Sequence, residues 1–224
     1  MKSFNVALDG PSGAGKSSVA KEIARKYHLH HLDTGAMYRA IALALHQEGI
    51  APQEGQALTK ALEQITLDVE GDQVFINKDN VTRQIRQPEI SKLASQYSAL
   101  PSVRKKLVAI QQQIASRKGF ILDGRDICDV VLPGAEVKIY LDASPKARAM
   151  RRMLQDEEKG IHLPFEQVLA AIEARDLADR TRESDPLRIS ENAVVVDSSN
   201  MDFDQTVKRI EEILNQALKE AGND

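Results

Sequence analysis

The stretch Gly10-Pro11-Ser12-Gly13-Ala14-Gly15-Lys16-Ser17 constrains this chain more than any other, because it follows an apolar run, FNVALD, and leads straight into a helical pattern. The order G-x-x-x-x-G-K-S between a strand and a helix is the phosphate-binding loop, and each residue type has a physical task. Glycines let the backbone turn so that successive N–H groups aim at phosphate oxygens, and the helix that follows adds the positive end of its dipole. Gly10, Pro11, Ser12, Gly13, Ala14, Gly15, Lys16, Ser17 and Ser18 are therefore expected to hold a nucleoside triphosphate. Within that set Lys16 neutralises the β- and γ-phosphates and Ser17 binds Mg²⁺ directly or through water.

The rest of the chain supplies the sheet that such a loop needs. Short β-branched or aliphatic runs, FNVALD, HHLD, GFILDG, EVKIYLDA and AVVVDS, alternate with longer helical stretches. That alternation predicts an α/β fold, a three-layer P-loop arrangement whose five-stranded parallel sheet is covered on both faces. Helices are expected from Ser12 to Tyr27, from Thr34 to His46 with Thr34 as cap, and from Ser102 to Lys118 closed by Gly119. Another runs from Phe203 to Ala221, closed by Gly222, with Val207, Ile210, Ile213, Leu214 and Leu218 on one face.

Between about Gln53 and Arg86 the pattern changes: a short helix over Ala57 to Ile65 precedes ITLDV, the turn EGDQ, VFINKDN and VTRQI, which read as small antiparallel strands. These form an insertion in the core. A second irregular stretch, Glu157 to Pro164, joins two charged helices and reads as a mobile lid. The expected organisation is one P-loop domain over 1–224, with a core of 1–33, 101–145 and 190–224, a region carrying the insertion at 34–100 and a lid region at 146–189.

A formal net charge of −3 gives no general attraction to nucleic acid or membrane, so anionic ligands must be held by local clusters of Arg, Lys and backbone N–H. Few aromatics are available for base stacking, and no apolar run approaches the roughly 20 residues that cross a bilayer. The first residues carry no signal-peptide pattern, and the single Cys128 fits a reducing compartment, so a cytoplasmic protein is expected.

Three further segments carry charge to the carboxyl ends of the strands, where open α/β sheets bind ligands. In Asp33-Thr34-Gly35-Ala36-Met37-Tyr38-Arg39, Asp33 suits a metal shell, Thr34 a phosphate or sugar hydroxyl, and Arg39 a forked phosphate contact. The same segment also reads as a capped helix with Arg39 on its solvated side. Asp123-Gly124-Arg125-Asp126 ends the third strand with a guanidinium between carboxylates. In Arg175-Asp176-Leu177-Ala178-Asp179-Arg180-Thr181-Arg182, helical spacing places Arg175, Asp179 and Arg182 on one face and makes Asp176 and Arg180 an exposed salt bridge, and without the phosphate loop the whole stretch would read more readily as a solvated charged helix. Pro186 then ends the helix.

GPSGAGKS, LDTGAMYR, DGRD, VKIYLDAS, RRMLQDEEKG and RDxxDRxR followed by DPL together resemble bacterial cytidylate kinases, a family in the nucleoside monophosphate kinase group of P-loop kinases. The resemblance runs through nearly the whole chain, including the insertion before Arg86. It implies a kinase that passes the γ-phosphoryl group of ATP, with Mg²⁺, to CMP or dCMP in pyrimidine nucleotide metabolism. It also implies that Ser95, Arg104 and Asp126 contact the cytosine ring, that Arg39, Arg125 and Arg182 hold the acceptor phosphate, and that Arg175 and Asp179 lie near its sugar. Thr34 and Tyr38 belong to the same acceptor set. Arg151 and Arg152 would join Lys16 in catalysis by reaching the transferring phosphoryl group from the lid, although on sequence alone they equally suit a solvated helix face. Ser17 and Asp33 are the expected metal-side residues, and the expected partners are CMP, dCMP and ATP, with no nucleic acid, no membrane and a monomeric state.

The chain departs from the family after DGRD, where a glycine and a threonine are usual and Ile127-Cys128-Asp129 stands here. A carboxylate at 129 facing an anionic acceptor would weaken its binding. Competing readings are another small-molecule P-loop kinase, acting on a different monophosphate or on a hydroxyl such as that of shikimate, and a nucleotide-dependent switch. The switch lacks a guanine-reading N-K-x-D: Asn77-Lys78-Asp79-Asn80 has the wrong order and lies in the insertion.

Overall fold

The computed structural model describes residues 3–158 and 160–222. β1 (Val6–Asp9) enters the glycine loop and α1 (Lys16–Tyr27); β2 (His30–Asp33) and α2 (Thr34–Gln47) follow. α3 (Gln56–Gln64), β3 (Leu67–Glu70), β4 (Gln73–Ile76), β5 (Asp79–Asn80), α4 (Pro88–Tyr97) and α5 (Pro101–Ala115) come next. β6 (Phe120–Gly124), a π-helical turn at Ile127–Val131, β7 (Val137–Asp142), α6 (Pro145–Glu157), α7 (Phe165–Thr181), β8 (Val194–Asp197) and α8 (Phe203–Gly222) complete the order.

The main sheet is five-stranded and parallel, in the order β2-β6-β1-β7-β8. β1 is central because VALD is buried along its whole length, and it pairs Val6 with Ile121 on one side and with Val137 on the other. Phe4, Leu8, Val19, Ile23, Ile139 and Leu141 form the core with the expected stripe of α8, Val207, Ile210, Ile213 and Leu214. Each such side chain contributes roughly 1.5–3 kcal/mol on burial.

The chain divides into two compact units. One takes the sequence up to His31, Lys118–Thr181 and the described residues from Asp185 on; the other takes Leu32–Arg117 and Arg182–Ser184. In the second unit α2 packs on α4, and β3, β4 and β5 form a small antiparallel sheet. Glu54 accepts from the Ser102 N–H (2.9 Å) and hydroxyl (2.6 Å), and the first of these satisfies an orphan backbone donor at the start of α5.

Several expected boundaries move for identifiable reasons. α1 begins at Lys16, not Ser12, because Gly13 (φ 78°) and Gly15 (φ 91°) lie in the left-handed region. The cap of α2 is Asp33, whose carboxylate accepts from the Ala36 N–H at 2.8 Å, so Thr34 is the first helical residue. VTRQI is not a strand: Gln84–Arg86 forms a 3₁₀ turn with Ile85 buried. α4 went unforeseen, although Pro88 opens it and Ile90, Ala94 and Tyr97 recur at helical spacing on its buried side. Of the expected lid, Lys159 lies outside the described residues.

Cys128 is 1% exposed, with its sulfur near the carbonyls of Ala7 (3.7 Å) and Ile139 (3.8 Å), and burial pushes its thiol far above the usual range. Ellman's reagent should therefore leave the native protein unlabelled over hours and titrate one thiol on unfolding; rapid labelling of the folded protein would contradict this packing.

Candidate active site

Strand ends and tight backbone turns build this site. At Gly10 an added Cβ would meet the Leu141 carbonyl oxygen at 2.0 Å, so only glycine fits between β1 and β7. The loop then turns back on Lys16, whose Nζ donates to the carbonyls of Gly10 and Pro11, each at 2.8 Å. Lys16 is 6% exposed; burial, then the Arg125 guanidinium, lowers its pKa to about 7 against the pull of Asp123, Asp9 and Asp179. An arriving phosphate would replace the missing solvation and restore the ammonium.

Behind the loop, Ser17 Oγ donates to Asp123 Oδ2 (2.6 Å), and His31 Nε2 lies 2.7 Å from Asp123 Oδ1. Burial pushes the Asp123 carboxyl up, but the hydrogen bonds from His31 and Ser17 and the charge of Lys16 hold it below the ordinary carboxylate range. The Ser17 hydroxyl and the Asp123 carboxylate form an all-oxygen donor set, which suits Mg²⁺ that draws its remaining ligands from phosphate and water. Asp33, expected in the metal shell, directs its carboxylate to the Ala36 N–H and to Arg39 at 3.1 Å. Asp9, at the end of β1, accepts from the N–H groups of Ile127 and Cys128, both at 2.8 Å. Its pKa rises to about 6, chiefly through burial, despite those bonds.

The π-helical turn hangs from this anchor. Asp126 precedes it, 8% exposed, and its carbonyl accepts from Val130 N–H at 2.9 Å. Arg125 donates from Nε to Asp179 Oδ2 (2.8 Å) and from Nη1 to the Gly124 carbonyl (3.1 Å). Arg125, Asp126, Asp129 and Arg188 line a cavity of about 120 Å³. The unusual Asp129 thus faces it, but Arg188 (2.9 Å) and the Ser190 hydroxyl take up its charge and, against burial, hold its carboxyl below the ordinary range.

The acceptor residues fall in both units. Arg125, Asp126, Arg175 and Asp179 belong to the first; Thr34, Tyr38, Arg39, Ser95, Arg104 and Arg182 belong to the second. Within the second, the Arg104 guanidinium lies 5.7 Å from the centre of the Tyr38 ring and donates to the Ser98 carbonyl (3.4 Å). The Ser98 hydroxyl in turn donates to the Ser95 carbonyl at 3.0 Å, so α2, α4 and α5 bring Tyr38, Ser95 and Arg104 to one neighbourhood. α7 ends at Thr181, so Arg182, expected on the helical face of Arg175 and Asp179, is the first residue past the helix.

The lid-side arginines are already engaged. Arg151 donates to the Ser198 carbonyl and hydroxyl and to the Met201 carbonyl (3.2 Å). Arg152 pairs with Asp156 at 3.0 Å. Asp176 is no exposed partner of Arg180: it is 5% exposed and takes both prongs of Arg148, at 2.5 and 3.1 Å. Arg180 instead reaches the Tyr140 hydroxyl.

The cytidylate kinase family matches residues 6–216 of this sequence. The chain belongs to the cytidylate kinase family. It is 43% identical over 222 residues to the cytidylate kinase of Caldicellulosiruptor saccharolyticus, covering 97% of this chain and 98% of that one. With the cytidylate kinase of Pseudothermotoga lettingae the identity is 40%, covering 100% of this chain and 99% of that one. Among solved structures, the shikimate kinase of Bacteroides thetaiotaomicron superposes with a TM-score of 0.52 at 14% identity, covering 95% of this chain and 98% of that chain. A gluconokinase from Sinorhizobium meliloti gives 0.50 at 18% identity, covering 98% and 94%. Those two likenesses establish the P-loop kinase fold alone.

Sequence reasoning about this cytidylate kinase family member missed two positions. Arg148 carried a signal: it stands four residues after the cap Ser144, on the apolar side of a charged helix, beside the buried Ala149. His31 carried none, since HHLD shows only a strand.

Proposed function

We propose that this protein transfers the γ-phosphoryl group of ATP to CMP or dCMP, giving CDP or dCDP, with Mg²⁺ accompanying the ATP. The observation that carries the reading is the Ser17–Asp123 pair behind a loop that already presents Lys16, in a chain alike over its full length to cytidylate kinases. Ser17 and Asp123 would hold the metal, which when bound neutralises phosphate charge. Transfer to an ionised phosphate needs no general base; the protein must position two anions and neutralise their charge.

Arg39, Arg125 and Arg182 are assigned to the acceptor phosphate, with Arg175 and Asp179 beside the sugar. Ser95, Arg104 and Asp126 are assigned to the base: the guanidinium donates to the O2/N3 edge of cytosine and the carboxylate accepts from its amine, where uracil would offer another acceptor. Assigning Arg151 and Arg152 to the moving phosphoryl group requires both to leave their present partners as the lid closes. The same reading makes the protein a cytoplasmic monomer with no nucleic-acid partner, in a compartment that keeps Cys128 reduced.

An ADP-release assay with ATP and Mg²⁺, run against CMP, dCMP, UMP, AMP, GMP and no acceptor, tests it. Turnover with CMP and dCMP above the rest is expected, and activity with no acceptor in the panel would remove the assignment. Asp126→Asn should lower kcat/KM for CMP by about 10- to 100-fold, the cost of leaving a buried amine facing a donor, and narrow the preference over UMP. An unchanged CMP/UMP ratio would free Asp126 from base reading.

A further inference from the structure

We propose that His31 is a positioning residue for the metal-bearing carboxylate: it holds one oxygen of Asp123 so that the other stays with Ser17 and meets the nucleotide's Mg²⁺ in a fixed orientation. The inference rests on the Mg²⁺–ATP reading and adds to it a residue outside the loop.

The backbone sets the geometry. His30 N–H donates to the Gly119 carbonyl (2.8 Å), and the His30 ring lies 5.2 Å from that of Phe120, which pins the strand at this residue. Side chains alternate along a strand, so His31 leaves by the opposite face. There its side chain is 8% exposed and its Nε2 stands 2.7 Å from Asp123 Oδ1. The carboxylate is thus held at both oxygens, by His31 on Oδ1 and by Ser17 on Oδ2, and two such bonds fix its rotation. An ionised carboxylate only accepts, so Nε2 carries the proton and donates.

Strand propensity gives no reason for an imidazole here: a β-branched apolar residue would suit the position better. Such a residue would leave Oδ1 of a carboxylate that is 4% exposed without this partner. The nearby ammonium of Lys16 already acts on Asp123 and would draw a carboxylate that had lost this bond toward itself. His31 thus keeps Asp123 for the metal and leaves Lys16 for phosphate, as outer groups commonly do for metal-binding carboxylates.

Affinity for methylanthraniloyl-ADP, read by fluorescence in EDTA and in Mg²⁺, tests this in the wild type, His31→Gln, His31→Asn and His31→Leu. Gln places an amide N–H near Nε2, whereas Asn is too short and Leu has no donor. We expect metal-free affinity to stay within about twofold throughout. The gain on adding Mg²⁺ should persist in His31→Gln and fall about tenfold in His31→Asn and His31→Leu. Manganese binding followed by electron paramagnetic resonance should weaken in the same order. A wild-type gain that survives unchanged in His31→Leu and His31→Asn would overturn the role of His31, as would equal losses in EDTA and Mg²⁺, the mark of a purely structural residue. If the wild type itself binds nucleotide with no Mg²⁺ gain, the Mg²⁺–ATP reading fails instead.

Discussion

Lys16→Met should lower kcat with CMP at least about 10²- to 10³-fold, since it removes the one cation built into the phosphate loop. The same change should not unfold the protein. In the free protein the ammonium is buried against the Gly10 and Pro11 carbonyls, and its pKa falls to about 7, with burial the first cause and Arg125 the second. The sign follows from linkage. The unfolded lysine holds its proton up to about pH 10, the folded one only to about 7, so the folded state gains relative stability as pH rises between those values. Below pH 7 the buried charge costs its full amount, on the order of a few kcal/mol. Urea unfolding should therefore favour Lys16→Met over the wild type more at pH 6 than at pH 9. Nucleotide phosphate reverses the effect: at pH 8, binding should take up about one proton in the wild type and none in Lys16→Met. Calorimetry in buffers of different ionisation enthalpy measures that uptake, and heats independent of buffer would mean that Lys16 is charged before the nucleotide arrives.

The parts of this site legible in the sequence are those that a single strand-turn-helix segment specifies. Gly10, Gly13, Gly15 and Lys16 act through a local backbone path, so their spacing alone predicts the loop. The five parallel strands were legible for a similar reason, because four are short apolar runs alternating with helical stretches and HHLD stands in the same alternation. What the sequence hides is pairing across distance. His31 and Asp123 are 92 positions apart and Arg125 and Asp179 are 54 apart; no periodicity links them. Asp176 shows the same limit from the other side. Its spacing from Arg180 fits a helix-surface pair, but the face that holds Asp176 turns inward, where Arg148 outcompetes a partner exposed to water. α4 was missed because no element was assigned to the residues just after the insertion, which ends at about Arg86, although a proline at the first helical position, Pro88, is itself a helix-start signal.

Arg148→Met should cost about 3–5 kcal/mol of stability and lower Tm by on the order of 10 °C, because it leaves Asp176 buried without its counter-charge. Arg148 is 1% exposed and makes four bonds: Nε to the Ala143 carbonyl (2.8 Å), Nη1 to the Ser12 carbonyl (2.9 Å), and both prongs to Asp176. The ion pair itself is not the reason for the residue, since an apolar pair of similar volume often matches a buried salt bridge in stability. Arg148→Met combined with Asp176→Leu should accordingly recover most of the loss in chemical denaturation. The Ser12 carbonyl would still lack its donor, so the phosphate loop should stay less rigid and KM for ATP should remain raised in the double variant while its stability returns. If stability and KM recover together, the network serves only to join α6 to α7. If neither recovers, the bonds to the Ala143 and Ser12 carbonyls carry the stability, and the charge of Asp176 is incidental to it.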